Sequence, residues 1–388
     1  MSVKRNSGYS LQTRVAQALS YVEPSTQGLV PPTYPSTTYL RDEDNEYRSG
    51  LVYSRADNPT YRVVESVLAD IEEGEDALLF ASGMAAAVTV FQALRPGDHV
   101  LAPKVMYWAL RNWLLTLGTD WGLEVELVDM TNTAAVEKAI IAGKTKLVWL
   151  ETPGNPLWTI SDIQAICHLA HSAGAKVAVD STCATPVLSL PITLGADIVM
   201  HSATKYLNGH SDVIAGALIG AKDDAFWQRI RMVRKQGGAV LSPADANQLL
   251  RGMRTLELRV RQSSQSAQII AERLQALPNV IEVLYPGLPS FSGHEVAAKQ
   301  MQGGFGGMLS VRLQNSAMAI HTAAYTKLWK RATSLGGVES LIEHRASIEG
   351  IDSPVPDDLL RLSVGIEDAD ELFADLQQAM ASANNAKN

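Results

Sequence analysis

The chain has 388 residues, 46% apolar and 19% charged, a size and balance that call for a globular protein with more than one core. Its formal net charge of −8 disfavours nucleic acid and anionic membrane as partners. The two cysteines, Cys167 and Cys183, show no pair spacing and suit a reducing, cytoplasmic setting.

The N-terminus, MSVKRNSGYSLQTRVAQ, has no apolar core of the kind a secretion signal needs. Residues 1–50 are proline-rich, and Leu29–Tyr39 cannot be helical through Pro31, Pro32 and Pro35. They read as an extended arm that needs another surface to lie on. Tyr53 and Arg55, two residues apart, face one way on an extended chain. A guanidinium fork suits a phosphate, although a plain surface pair has the same spacing. Pro59-Thr60 then opens a helical pattern through Val63, Val67 and Ile71, closed by Gly74. The run Ala77–Leu94 carries no charge and is long enough to weigh as a membrane span, but Ser82-Gly83 divides it into strand, turn and helix.

A second strand–turn–helix unit covers Leu101–Gly118, with Tyr107 near its helix start. Val125–Met130, a helix near Thr133–Ala142 and the strand Lys146–Glu151 continue the alternation. Asn155, in the proline-flanked turn that ends this strand, reads as a turn residue on composition alone. A helix near Asp162–Ala173 leads to the strand Lys176–Asp180. A carboxylate ending a buried strand is costly without a partner, and ligands of open α/β sheets gather at such ends. A helix cap or salt bridge is the plainer use of Asp180.

The stretch Asp197–Gly216 joins a buried strand, Ile198–Met200, to His201-Ser202-Ala203-Thr204-Lys205 and to turn residues at 208–211. A lysine between two apolar segments is partly desolvated, which lowers its pKa and yields a nucleophilic amine able to form a Schiff base. Hydroxyls one and three residues before it suit a phosphate. Together they are what pyridoxal 5'-phosphate requires. Past Gly220, Asp223–Gln236 and Ser242–Leu277 read as helices, the latter broken near Gly252 and leading to a C-terminal domain. Val280–Tyr285 and Met308–Leu313 read as strands, and the Gly303–Gly307 glycines as turn residues rather than a dinucleotide fingerprint. In the strand Leu360–Gly365, Arg361 sits among apolar residues and needs an anion, which an internal salt bridge would also supply. A helix over Glu367–Ala381 closes the chain. This predicts an arm (1–50), a large α/β domain (51–240) with a mostly parallel sheet, and a smaller α+β domain (241–388).

Several of these segments resemble one family. DIVMHSATKYLNGHS (197–211) is similar to the lysine signature of the Cys/Met-metabolism enzymes that use pyridoxal 5'-phosphate. PPTYPSTT, YSRADNPT, SGMAA, VDSTCATP, SLGGVES (334–340) and the Arg361 strand resemble its other motifs, over roughly residues 27–381. The resemblance implies the fold type I, aspartate aminotransferase-like architecture, with Lys205 as cofactor anchor and catalytic base. It places Gly83, Met84, Ser202 and Thr204 at the cofactor phosphate, Tyr107 on the pyridine face, Asp180 beneath the ring nitrogen and Asn155 beside the phenolic oxygen. Arg361, Ser334 and Asn155 would bind the substrate carboxylate, and Tyr107 and Tyr53 are the candidate acid–base helpers. Tyr53 and Arg55 would reach the phosphate of a neighbouring subunit, making a homodimer with shared active sites and, from two dimers, a tetramer. No metal ligand set is assigned.

The implied activity is γ-replacement or γ-elimination on a homoserine-derived amino acid. The alternatives are a β-eliminating C–S lyase and, remotely, a cofactor-binding paralogue without turnover. SLGGVES leans toward γ chemistry, since enterobacterial-type β-lyases carry Trp where this chain has Leu335. Departures from the family pattern fall at Trp108 and Arg111, which bear on recognition of the substrate's distal end, at Thr333, where the γ branch often has glutamate, and at Arg345, in a stretch without the usual P-A-S-M-T-H.

Overall fold

Short apolar runs, buried on both faces except in the edge strand Glu124–Val128, build a seven-stranded sheet in the computed structural model, which describes residues 8–349 and 355–385. Its strands are β1 (Asp76–Phe80), β2 (His99–Pro103), β3 (Glu124–Val128), β4 (Thr145–Glu151), β5 (Lys176–Asp180), β6 (Ile198–His201) and β7 (Gly216–Gly220). Their order is β1-β7-β6-β5-β4-β2-β3. β2 to β6 run parallel, while β7 is antiparallel to both β6 and β1.

Strand alternation sends successive side chains to opposite cores. Leu79, Val199 and Ile219 pack with Val64, Val67 and Ile71 of the helix Pro59–Ile71. Leu78, Phe80, Met200 and Leu218 pack with Val90 and Phe91 of the helix Gly83–Gln92 and Ile230 of the helix Ala225–Gly237. Val148, Leu150, Val177 and Val179 pack with Ile163, Ile166 and Ala170 of the helix Ile163–Ser172. The uncharged run at 77–94 is therefore strand, turn and helix. Among the described residues no helix is long and apolar enough to cross a membrane.

The C-terminal part carries a second sheet: β8 (Val280–Leu284), β9 (Met308–Leu313), β10 (Lys330–Arg331), β11 (Leu341–His344) and β12 (Leu359–Ser363), ordered β10-β11-β12-β9-β8. The helices Leu256–Leu274, Ser316–Tyr325 and Ala369–Asn385 cover one face. The helical stretch expected over 242–277 is two helices, Pro243–Met253 and Leu256–Leu274, which meet just past Gly252. That glycine packs on the chain beyond Lys205, where an added Cβ would stand 2.2 Å from the Asn208 carbonyl oxygen. Arg259, buried on the second helix, donates to the carbonyls of Tyr206 (2.7 Å) and Gly252 (2.8 Å).

Two local expectations are corrected. The arm is not irregular throughout, because Leu11–Ala16 is a short helix capped by Ser10. Its Val15 is buried, and Arg14 pairs with Asp70 at 2.5 Å. The prolines that forbid helix begin only at Pro24. Tyr53–Asp57 is a turn rather than extended chain, with the Ala56 amide donating to the Tyr53 carbonyl at 3.0 Å. Arg55 still lies over the Tyr53 ring, 5.4 Å from its centroid. The short strands β10 and β11 and the helices His294–Gln300 and Ser316–Tyr325 carried no distinct sequence signal.

Candidate active site

The carboxyl ends of β4, β5 and β6 open on a cavity of about 290 Å³ that the C-terminal sheet closes from the far side. Lys205 enters it from the loop after β6. The loop is tied down by short polar side chains. The Ser202 amide donates to Thr182 Oγ1 (2.9 Å), and the Ala215 amide donates to Thr204 Oγ1 (3.0 Å). The Lys205 ammonium donates to Ser334 Oγ at 2.7 Å. Burial, and then the nearby Arg361 charge, bring the Lys205 pKa down to about 8. An amine so placed is a usable nucleophile and base near neutral pH.

Beside it, Ser82 caps the helix Gly83–Gln92 by accepting from the Ala85 amide at 3.1 Å. The amides of Gly83 and Met84 stand in its first turn, where no carbonyl four residues earlier can take them, and both residues line the cavity. A Cβ on Gly83 would stand 2.7 Å from Ser202 Oγ, so only a glycine lets the helix start and the Ser202 loop meet. Asp180, at the end of β5, accepts at Oδ1 from the Thr182 amide (3.0 Å) and hydroxyl (2.5 Å). Burial raises its pKa. On the adjacent strand Glu151 is its register partner. Burial, reinforced by the Asp180 charge, pushes the Glu151 carboxyl up to about 8. Tyr107 lines the cavity and is 45% exposed in the single chain.

The opposite wall is ionic. Arg361 on β12 faces Glu343 on β11 in register, with 2.6 Å between guanidinium and carboxylate. It also donates to Asn155 Oδ1 (3.2 Å) and to the Ser334 carbonyl (2.7 Å). The internal salt bridge weighed from sequence thus exists, and Arg361 borders the cavity as well. Burial lowers its pKa to about 10, which leaves it charged at neutral pH. Arg345 pairs with Glu343 (2.9 Å) and Glu349 (2.6 Å) and lines the same cavity. Ser334 has φ +88°, a left-handed backbone unusual for serine.

Of the residues singled out from sequence, Gly83, Met84, Tyr107, Asn155, Asp180, Ser202, Thr204, Lys205, Ser334 and Arg361 converge here. Tyr53 and Arg55 do not, and instead line a separate groove of about 890 Å³. Thr333 and Leu335 border the cavity, whereas Arg111 turns its guanidinium onto the Trp108 ring, 5.2 Å from the centroid. Sequence reading missed Glu151 and Glu343. The signal that flagged Asp180, a carboxylate closing a buried strand, holds equally for Glu151.

This donor set fits pyridoxal 5'-phosphate. It offers a depressed-pKa amine, free amides at a helix start that only a glycine lets meet the Ser202 loop, and a buried carboxylate at a strand end. The family model for Cys/Met metabolism PLP-dependent enzymes matches residues 12–381. The cystathionine gamma-synthase of Mycobacterium leprae (strain TN) is 44% identical over 377 residues, covering 95% of this chain and 96% of its own. The cystathionine beta-lyase of Coxiella burnetii (strain RSA 493 / Nine Mile phase I) is 38% identical, covering 98% and 100%. The crystal structure of metB from Corynebacterium glutamicum superposes with a TM-score of 0.93 at 39% identity, covering 97% and 99%. Sequence, fold and site agree: the chain belongs to the family of Cys/Met metabolism enzymes that depend on pyridoxal 5'-phosphate.

Proposed function

We propose that this enzyme carries out γ-replacement or γ-elimination on a homoserine-derived amino acid, in the manner of a cystathionine gamma-synthase or gamma-lyase. The carrying observation is one cavity that joins a nucleophilic lysine to a carboxylate-reading arginine through a shared serine. Ser334 accepts from Lys205 at its hydroxyl and from Arg361 at its carbonyl. The 44% identity to a protein named cystathionine gamma-synthase, and Leu335 in the SLGGVES segment, favour γ chemistry.

In this reading Lys205, Ser202, Thr204, Gly83, Met84, Tyr107, Asn155 and Asp180 hold the cofactor. When bound, pyridoxal 5'-phosphate supplies the carbonyl that captures an amino group and the electron sink that accepts the Cα electron pair. Arg361 takes the substrate α-carboxylate with its planar fork and so orients the Cα–H bond. Lys205 Nζ removes the Cα proton. In γ chemistry the same nitrogen then moves a Cβ proton, before the group on Cγ departs. Ser334 holds that nitrogen on the substrate side. Asp180 would stay ionised opposite a protonated ring nitrogen and balance its charge. Tyr107 would stack on the cofactor ring, and its hydroxyl is the candidate acid for the leaving group.

Tyr53 and Arg55 lie outside the cavity of their own chain, and Leu29, Val30 and Leu40 of the arm are exposed. These features support a homodimer in which each chain's Tyr53 and Arg55 complete the other's phosphate site. Light scattering gives the assembly directly. Mixing an Arg55→Ala chain with a Lys205→Ala chain restores activity only if sites are shared.

The decisive experiment supplies an O-activated homoserine, with and without cysteine, and separately cystathionine. Formation of cystathionine or 2-oxobutanoate supports the reading. Pyruvate as the keto acid from cystathionine would replace it with β-elimination, the activity named for the Coxiella relative. No change in the cofactor's visible spectrum with any amino acid would leave only a binding protein.

A further inference from the structure

Glu151 takes no part in the steps above, yet its surroundings are unusual for a structural carboxyl. It is 7% exposed at the end of β4, beside Asp180. Among the described residues it has no cationic partner within ion-pair distance. Its two oxygens are shared between two backbone amides from different segments. Oε2 accepts from the Tyr107 amide at 2.7 Å, and Oε1 accepts from the Asn155 amide at 2.9 Å. Tyr107 starts the helix Trp108–Trp113 without any side-chain cap of its own, so this bond fixes where that helix begins. Asn155 in turn accepts from Arg361 at 3.2 Å. A buried carboxyl is costly to keep, and here only those two amides offset the cost.

We propose that Glu151 is a positioning residue: by clasping the amides of Tyr107 and Asn155 it sets the aromatic wall and, through Asn155, the arginine clamp in one fixed relation. The proposal rests on the reading above, in which Tyr107 faces the cofactor and Arg361 the substrate carboxylate. Glutamine at 151 keeps the shape but leaves one acceptor oxygen and turns an NH₂ toward the other amide; the variants are therefore compared above about pH 8, where Glu151 is ionised and both of its oxygens accept. Aspartate keeps both oxygens but is one methylene too short to span the two segments.

The test begins with borohydride reduction of the wild-type holoenzyme and peptide mapping. Failure to label Lys205 sinks the underlying reading and says nothing of Glu151. With labelling in hand, Glu151→Gln is compared with wild type in cofactor Kd by equilibrium dialysis, visible circular dichroism, kcat/KM and Tm. The expected result is a weakened or inverted visible dichroic band and a roughly 10-fold weaker cofactor Kd, with kcat/KM down roughly 10- to 100-fold, as for loss of a hydrogen bond to an ionisable group. A lower Tm with the band, Kd and kcat/KM unchanged would overturn the proposal. In a cycle with Tyr107→Ala the two losses should be strongly non-additive, and additivity would also overturn it. Glu151→Asp gives the same readouts should the Gln variant not fold.

Discussion

The two walls of the cavity hold their functional groups by different means. On the side of the seven-stranded sheet, Gly83, Asp180 and the Ser202–Lys205 loop are set by strand ends, a helix start and short hydroxyl contacts. On the side of the five-stranded sheet, Arg361 and Arg345 are set by the buried carboxylates Glu343 and Glu349. The first wall is rigid because its backbone is committed to the sheet. The second depends on charge balance, so replacing one member disturbs the rest. The departures from the family pattern sit beside the second wall and the Tyr107 helix, not in the lysine loop.

Deleting the amine of the first wall should have the largest effect. Lys205→Ala is expected to lower kcat by at least about 10³-fold, within the range for removing a general base, and to abolish borohydride labelling of the chain. Retained activity would show that the first wall does not carry the chemistry.

Breaking the second wall should cost both binding and stability. Arg361→Gln is expected to raise KM for the amino acid far more than it lowers kcat. It should destabilise the fold by about 3 kcal/mol, the low end for a broken buried pair, because Arg345 still pairs with Glu343. Denaturant titration alongside kinetics checks both. A kcat effect without a KM effect would mean that Arg361 does not read the carboxylate.

Ser334 touches both walls, and its two roles separate by substitution. Ser334→Ala loses the hydroxyl and keeps the left-handed backbone, while Ser334→Gly loses the hydroxyl and relieves it. Both should lower kcat/KM about 10-fold, with the Gly variant the more stable of the two by about 1 kcal/mol. Equal stability would mean that the φ of +88° carries no strain.

The smallest expected effect is on pH. Cofactor capture by the apoprotein needs the neutral amine, so its rate should rise with pH and level off above about 8, well before the ordinary lysine value of 10.5. In Arg361→Gln the repulsive guanidinium is gone and Glu343 is less compensated, so the levelling-off moves upward. Stopped-flow mixing across pH 6–10, about four orders of magnitude in proton concentration, resolves this shift. An unmoved profile would show that burial alone sets the amine.

The first wall was legible in the sequence because each of its parts is local. A run such as Ile198–Met200 followed by Ser202, Thr204 and Lys205 places a lysine at a strand end without knowledge of the rest of the chain. The second wall was only half legible. Arg361 could be recognised as a buried cation, but its pairing with Glu343 depends on the register of β11 against β12, which no short pattern encodes. Arg111 shows the same limit, since its spacing says nothing of a guanidinium turned onto Trp108. The helix Leu11–Ala16 carries little signal of its own, since six residues after a Ser10 cap are too few to set a clear period.

Arg259 ties the backbone just past Lys205 to the long helix under the C-terminal sheet. Gly209 leaves it the space, since a Cβ there would stand 1.8 Å from the guanidinium. The start of that helix is thus fastened to the rigid wall: a shift of the smaller sheet toward an arriving amino acid would have to pivot about this tie, closing over a stationary lysine.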